Sequence, residues 1–83
     1  MTLDDLMQAE KRTVGVKQTE KAVNRGVALK VFVAKDADER VTEKLVELCE
    51  EKAVSVVMVE TMHELGKACG IHVKAAAAAI LNP

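Results

Sequence analysis

The segment that decides the fold reads Gly15-Val16-Lys17-Gln18-Thr19-Glu20-Lys21-Ala22-Val23-Asn24-Arg25-Gly26, and the β-branched run Thr13–Val16 leads into it. This order predicts a tight junction between a strand and a helix. The helix is expected over Lys17–Arg25 and ends at Gly26, since glycine is favoured just beyond a helix C-terminus. Its small, apolar side is formed by Thr19, Ala22, Val23 and Gly26.

The other side of this helix is basic, because Lys17, Lys21 and Arg25 recur at every fourth position and share one face. A helix N-terminus also carries free backbone N–H groups and partial positive charge, which together suit phosphate. Exposed helices are often basic without binding anything, so the wider charge pattern matters. Residues 11–35 hold seven Lys or Arg against one acid, a net charge of +6, which favours an anionic partner.

The composition predicts one small globular domain over residues 1–83. Of the 83 residues, 49% are hydrophobic and 30% are charged, which is typical of a folded chain. The net charge of −1 hides an asymmetry, since residues 36–64 hold nine acids against three bases. An acidic part of the chain therefore follows the basic one.

Helix and strand patterns alternate along the chain, which predicts an α/β fold. After a short first helix near Leu6 and the junction described above, we expect a strand at Val27–Ala34, a helix from about Glu39 to Lys52, a strand at Ser55–Val59, a short helix from the capping box at Thr61 to Gly70, and a final strand within Val73–Leu81. The last segment contains five consecutive alanines, which favour a helix by propensity, but the alternation favours a tightly packed strand. The sum is an α/β/α sandwich of about four short strands with helices on both faces.

The long helix after Asp38 separates an apolar stripe from an acidic face. The inward stripe is predicted to hold Val41, Leu45, Leu48, Cys49 and the stem of Lys52. The outward face holds Glu39, Glu43, Glu47 and Glu50. An acidic face of this kind is either plain solvated surface or a docking surface for another protein.

Several classes of function are excluded by what the sequence lacks. It has one Phe, no Trp and no Tyr, so proteins that stack bases on aromatic rings are poor parallels. No phosphate-binding P-loop, G-x-G-x-x-G or H-E-x-x-H motif occurs. His63, Cys69 and His72 match no common metal-ligand spacing, and we expect no enzyme activity, metal or cofactor.

The remaining composition predicts a cytoplasmic protein. Cys49 and Cys69 lie on apolar helical segments without a C-x-x-C spacing, which is typical of buried, reduced thiols. No apolar run approaches the ~20 residues that span a membrane, and the acidic N-terminal segment is unlike a signal peptide.

A second candidate surface follows the helix that Gly70 closes. The sequence Ile71-His72-Val73-Lys74 is expected to form a loop in which apolar side chains lie near solvent. Two interpretations remain open for it. In the first, Ile71 makes a contact of the Schellman type and Val73 begins the last strand. In the second, Ile71, His72 and Val73 form a binding loop.

Three segments in this order resemble a known family: G-V-K-Q-T-E-K-A-V-N-R-G, then V-F-V-A-K-D-A-D, then L-G-K-A-C-G-I-H-V-K-A-A-A. They are similar to the "seven-Ae" ribosomal protein family of kink-turn RNA-binding proteins, and to its short bacterial members in particular. The resemblance covers roughly residues 7–81. It implies a three-layer α/β/α sandwich with a mixed four-stranded sheet.

The same resemblance implies a binding site for a kink-turn, a sharply bent RNA helix with tandem sheared G·A pairs beside a bulge. The basic helix would enter the opened groove, with contacts from Gly15, Lys17, Gln18, Lys21 and Arg25. The loop residues Ile71, His72 and Val73 would pack on the bulged nucleotides. Longer members of the family typically carry Asn and Glu where this chain has Lys17 and Gln18.

We therefore expect a non-enzymatic, monomeric protein that recognises and stabilises kink-turns in structured RNA, with the ribosome as one place of action. Neither DNA nor a membrane is expected as a partner. The alternative is a protein–protein adaptor on the ribosome that uses the acidic helix Glu39–Glu51.

Overall fold

The computed structural model describes residues 3–82, in which helices and strands alternate. In chain order they are α1 (Leu3–Gln8), β1 (Arg12–Val14), α2 (Val16–Asn24), β2 (Ala28–Ala34), α3 (Glu39–Glu51), β3 (Ser55–Val59), α4 (Met62–Ala68) and β4 (Ala77–Leu81). Within the described chain, every helix is too short or too polar to cross a membrane.

The strands form a mixed four-stranded sheet in the order β1-β4-β2-β3. Strand β4 runs antiparallel to both of its neighbours, whereas β2 and β3 are parallel. The last strand in the sequence is therefore inserted between the first two. This arrangement confirms the mixed sheet implied by the family resemblance.

Two apolar cores lie on opposite faces of the sheet, because successive residues of a strand point to opposite sides. Phe32 of β2 faces α1 and α4, where it packs with Leu6 and Leu65. Its neighbours Val31 and Val33 face α2 and α3. The three-layer α/β/α sandwich is confirmed.

Strand β4 shows how burial overrides propensity. Ala77, Ala78 and Ala79 are each 0% exposed, because the strand is paired on both edges and covered on both faces. The alanines therefore form a strand, as the alternation predicts. Its predicted start at Val73 is wrong, however, since the strand begins at Ala77 and a loop precedes it.

Helices α2, α3 and α4 all end in the same hydrogen-bonded turn. In α2 the Val27 N–H donates to the Ala22 carbonyl at 3.1 Å and the Gly26 N–H donates to the Val23 carbonyl at 3.0 Å, which is a Schellman motif. Gly26 has a φ of 75°, as the motif requires. In α3 the corresponding residue is Ala53, with a φ of 57°, where an L-residue is strained.

The predicted inward stripe of α3 is partly wrong. Val41 is 49% exposed, while Thr42 is 6% exposed and takes the place expected for it. The reason is geometric, since the stripe that faces the sheet is centred on Leu45 and Cys49, and residue 42 lies in line with both. Position on the helix therefore outweighs the greater hydrophobicity of valine. Lys52 is also exposed rather than inward.

Candidate nucleic-acid interface

The α2 tip, residues 15–18, is held against the start of β4 and leaves backbone donors open. The Gly15 N–H donates to the Ala77 carbonyl at 2.8 Å, and the Thr19 N–H donates back to the Gly15 carbonyl at 2.9 Å. In the described part of the chain, no side chain caps the start of this helix. Within residues 3–82, the backbone N–H groups of Lys17 and Gln18 have no acceptor. The tip therefore offers fixed donors and the positive end of the helix dipole to an anion.

Gly15 is required by its backbone conformation rather than by crowding. Its φ of 103° is one that L side chains rarely adopt, yet a Cβ added there would meet no atom within 4 Å. The space in front of Gly15 is therefore open. A ligand can approach the backbone of the tip closely.

The structure gathers three of the predicted site residues along one groove. Gln18 and Lys21 lie one turn apart on α2, and Arg25 follows one turn later as its C-cap. All three line this basic groove beside β1 and the end of β4. Gln18, Lys21 and Arg25 are exposed. Lys17 is also exposed but lies outside the groove. Within the part of the chain that the structure describes, Lys17, Lys21 and Arg25 form no ion pair with a carboxylate. Their charges are therefore available to an external anion.

The second predicted surface is the 70–76 loop, and Ile71 is its anchor. The Ile71 N–H donates to the Gly66 carbonyl at 3.1 Å and the Gly70 N–H donates to the Lys67 carbonyl at 3.0 Å, which again is a Schellman motif. The Ile71 side chain is half-buried and packs on the core under α1 and α4. The Schellman-type contact predicted for Ile71 is thus confirmed.

The rest of the loop is clamped across α4 at Gly66. A Cβ on Gly66 would collide with the carbonyl oxygen of Val73 and would lie 3.4 Å from the Ala75 nitrogen. The Ala75 N–H also donates to the Met62 carbonyl at 3.1 Å. This contact holds Val73 outward, where 68% of it is exposed, and His72 is exposed beside it. An apolar side chain is therefore presented to solvent by a fixed backbone.

A shallow hollow beside the loop adds two residues that the sequence reasoning missed. His63 and Lys67 lie one turn apart on α4 and line this hollow together with Ile71, His72 and Val73. Their spacing of four residues places them on one helix face, which was a usable signal. The contact of that face with the loop depends on tertiary structure.

The tip and the loop meet at the start of β4. The Ala76 carbonyl accepts from the Ala34 N–H at 2.9 Å, one residue before Ala77 accepts from Gly15. The turn after β2 is also tied to the start of α4, since the Asp36 carboxylate accepts from the Met62 N–H at 2.8 Å. Backbone hydrogen bonds therefore fix the spacing of the two surfaces.

The two cysteines are buried and the two histidines are exposed. Among residues 3–82, no group of three or more His, Cys, Asp or Glu side chains is placed to hold a metal. Burial raises the pKa of both Cys49 and Cys69, and the charge of Arg12 partly offsets the rise for Cys69. The two thiols are free and lie in different cores.

The chain is similar over its whole length to a known protein family. The sequence profile of the "Ribosomal protein L7Ae/L30e/S12e/Gadd45 family" matches residues 1–83. An RNA-binding protein of Caldanaerobacter subterraneus is 54% identical over 69 residues, covering 83% of this chain and 84% of that protein. The RNA-binding protein YbxF of Geobacillus stearothermophilus is 46% identical, covering 99% of this chain and 100% of that protein.

Solved structures show the same architecture. The 15.5kD RNA binding protein of Giardia lamblia superposes with a TM-score of 0.88 at 32% identity, covering 98% of this chain and 71% of that one. A protein of unknown function from Bacillus halodurans superposes with a TM-score of 0.83 at 26% identity, covering 96% and 80% of the two chains.

Proposed function

Since the chain belongs to the ribosomal protein L7Ae/L30e/S12e/Gadd45 family, we propose that it is a non-enzymatic RNA-binding protein that recognises and stabilises kink-turns. The observation that carries the proposal is the pairing of two unlike surfaces at one edge of the sheet. The α2 tip and the basic groove offer donors and exposed cations, and the 70–76 loop offers apolar contact. The relatives named RNA-binding proteins support the choice of RNA as the partner.

Each surface fits one part of a kink-turn. Lys17, Lys21 and Arg25 suit the crowded phosphates of a bent backbone. Gln18 carries an amide that both donates and accepts, which suits the edge of a guanine in a sheared pair. The exposed Val73 suits an unstacked base, in place of the aromatic rings that the chain lacks.

The protein acts on RNA by preferring one conformation, without chemistry. An RNA that interconverts between extended and bent forms shifts to the bent form by the difference in affinity for the two. The hydrogen bonds from β4 and β2 keep tip and loop at a fixed distance, so the protein offers a rigid template. Ribosomal RNA is the first cellular target to test, because ribosomal proteins give the family its name.

The proposal is tested with two matched RNAs. One contains a kink-turn, and the other has its sheared G·A pairs replaced by Watson–Crick pairs. We expect the protein to bind the first at least about tenfold more tightly, since base-edge contacts are worth about 1–3 kcal/mol each. Equal affinity for the two RNAs would refute kink-turn recognition.

The role of Gln18 is separated from general affinity by measuring the ratio of the two affinities. Gln18→Ala is expected to reduce that ratio about tenfold, because the discriminating contact is lost. Asn24→Ala is the matched control, since Asn24 is an exposed amide on the same helix but outside the basic groove. An unchanged ratio in Gln18→Ala would remove Gln18 from the site.

A further inference from the structure

Strand β3 leaves one edge of the sheet open. Among the described strands it pairs only with β2, and its five residues, Ser55-Val56-Val57-Met58-Val59, contain no charge and no proline. Edge strands of soluble proteins usually carry such residues to prevent unwanted pairing. The edge is therefore chemically ready to accept another strand.

The direction of the open backbone groups follows from one hydrogen bond. The Val59 carbonyl accepts from the Lys35 N–H at 2.7 Å, so it points toward β2. Backbone groups alternate in direction along a strand, which turns the N–H and C=O groups of Val56 and Met58 outward. Among residues 3–82, no hydrogen bond joins these outward groups to a residue outside β2 and β3.

An apolar groove runs beside this edge, between β3 and α3. Its floor is formed by Val33, Thr42, Val46 and Met58. Met58 is 49% exposed, which is high for a large apolar side chain on a sheet. A strand added to β3 would cover this side chain.

The rim of the groove is acidic. Glu39, Glu43 and Glu47 follow one another every four residues along α3 and all line the groove. Arg40 also lines it, but its guanidinium is bound to the Asp38 carboxylate at 2.9 Å. The acidic side chains have no ion-pair partner within the described residues. The groove therefore presents net negative charge beside an open strand.

We propose that the β3 edge and this groove bind an extended, basic segment of a partner protein as an added strand. Its backbone pairs with Val56 and Met58, and its Lys or Arg side chains meet the glutamates of α3 while their aliphatic stems cover Met58. RNA does not fit, because the rim would repel its phosphates. A second copy does not fit either, because twofold pairing would bring acidic rim against acidic rim.

The surface is separate from the one proposed for RNA. The glutamate face of α3 and the edge of β3 share no lining residue with the basic groove or with the hollow beside the 70–76 loop. A protein segment can therefore bind while RNA is held. Failure of one proposal leaves the other untouched.

The experiment uses a short blocked peptide of alternating lysine and valine, titrated into the full chain. Amide hydrogen exchange is expected to slow at Val56 and Met58, with no comparable change at Ser55 and Val57, whose backbone groups face β2. The peptide of alternating glutamate and valine is expected to bind at least about tenfold more weakly because of the acidic rim. Equal binding of the two peptides, or slowing without the alternation, would overturn the proposal.

Two variants and one control complete the test. Glu43→Lys and Met58→Lys are each expected to weaken the lysine–valine peptide about tenfold, because a positive charge enters the groove. Glu50→Lys makes the same charge change on α3 outside the groove and is expected to have little effect.

Two further outcomes would also overturn the proposal. The first is loss of kink-turn RNA binding in Met58→Lys, which would make the edge part of the RNA site. The second is concentration-dependent dimerisation of the free chain that protects Val56 and Met58, which would make a second copy the occupant.

Discussion

The α2 tip and the 70–76 loop are neighbours at the start of β4, yet they are built in opposite ways. The tip depends on local sequence, since a glycine with positive φ starts a helix whose polar residues recur with the helical period. The loop depends on contacts from elsewhere, through Gly66, Met62 and the core under Ile71. The tip and the basic groove beside it offer backbone donors and cations, whereas the loop offers the exposed apolar side chain of Val73. The candidate binding surface therefore combines one half that the local sequence encodes, the tip, with another that only the folded molecule positions, the loop.

The largest effect is expected from breaking the loop alone. Gly66→Ala places a methyl group on the Val73 carbonyl, so either the loop moves or the helix shifts. We expect the free energy of unfolding to fall by about 2 kcal/mol, with overpacking only partly offset by the better helix propensity of alanine. Urea denaturation measures this loss. An unchanged free energy of unfolding would show that Gly66 does not clamp the loop.

The next effect is expected from removing a cation of the basic groove while leaving the loop intact. Lys21→Ala is expected to weaken kink-turn RNA about tenfold and to lower the slope of log affinity against log salt by about one, if Lys21 meets a phosphate. Stability should not change, because Lys21 is exposed. Titrations at several salt concentrations provide the slope.

Lys44→Ala is the matched control for that measurement. Lys44 is an exposed lysine of α3 and lies outside both proposed RNA surfaces. Equal losses of affinity in the two variants would show that general charge, rather than the basic groove, accounts for binding.

A smaller effect is expected from trimming the loop without moving it. Val73→Ala is expected to weaken kink-turn RNA by about 1 kcal/mol, through lost apolar contact, and to leave the salt slope unchanged. Met7→Ala is the control, since Met7 is 56% exposed on α1 and lies outside both proposed surfaces. A fall in the salt slope for Val73→Ala would contradict the division between the cations of the basic groove and the apolar contact of Val73.

The smallest effect separates stability from binding. Ala53→Gly is expected to raise the free energy of unfolding by about 0.5–1 kcal/mol, because glycine relieves the positive φ that ends α3. Gly26→Ala reverses the change at the end of α2, where a Cβ would meet no atom within 4 Å, and should lose a similar amount. Thermal unfolding measures both. RNA affinity that followed Ala53→Gly upward would show that overall stability, not the two surfaces, sets binding.

Most of the fold was predictable from the sequence because its signals are local. The bounds of β3 are as predicted. Helix α2 begins and ends one residue earlier than predicted, and β2 begins one residue later. The side-chain cap of the predicted capping box is present, since the Thr61 hydroxyl accepts from the Glu64 N–H at 3.0 Å. Errors arose where tertiary contacts decide, as at Val41.

The candidate site was predictable to the same extent. The basic face of α2 follows from its period, and the family resemblance added the loop. The clamp at Gly66 carries no local signal, because a glycine inside a short helix reads only as a weak helix former. The contributions of His63 and Lys67 depend on where the loop crosses α4.

The place of β4 in the sheet also governs when the protein can become active during its synthesis. Within the described sheet, β1 is joined to the other strands only through β4, and the α2 tip is fixed by a carbonyl of β4. A nascent chain that ends before Leu81 therefore has β1 without a partner and the tip without its anchor. Pairing of these distant segments is also the slow kind of folding event. The surface proposed to bind RNA is therefore complete only after translation has passed the last strand.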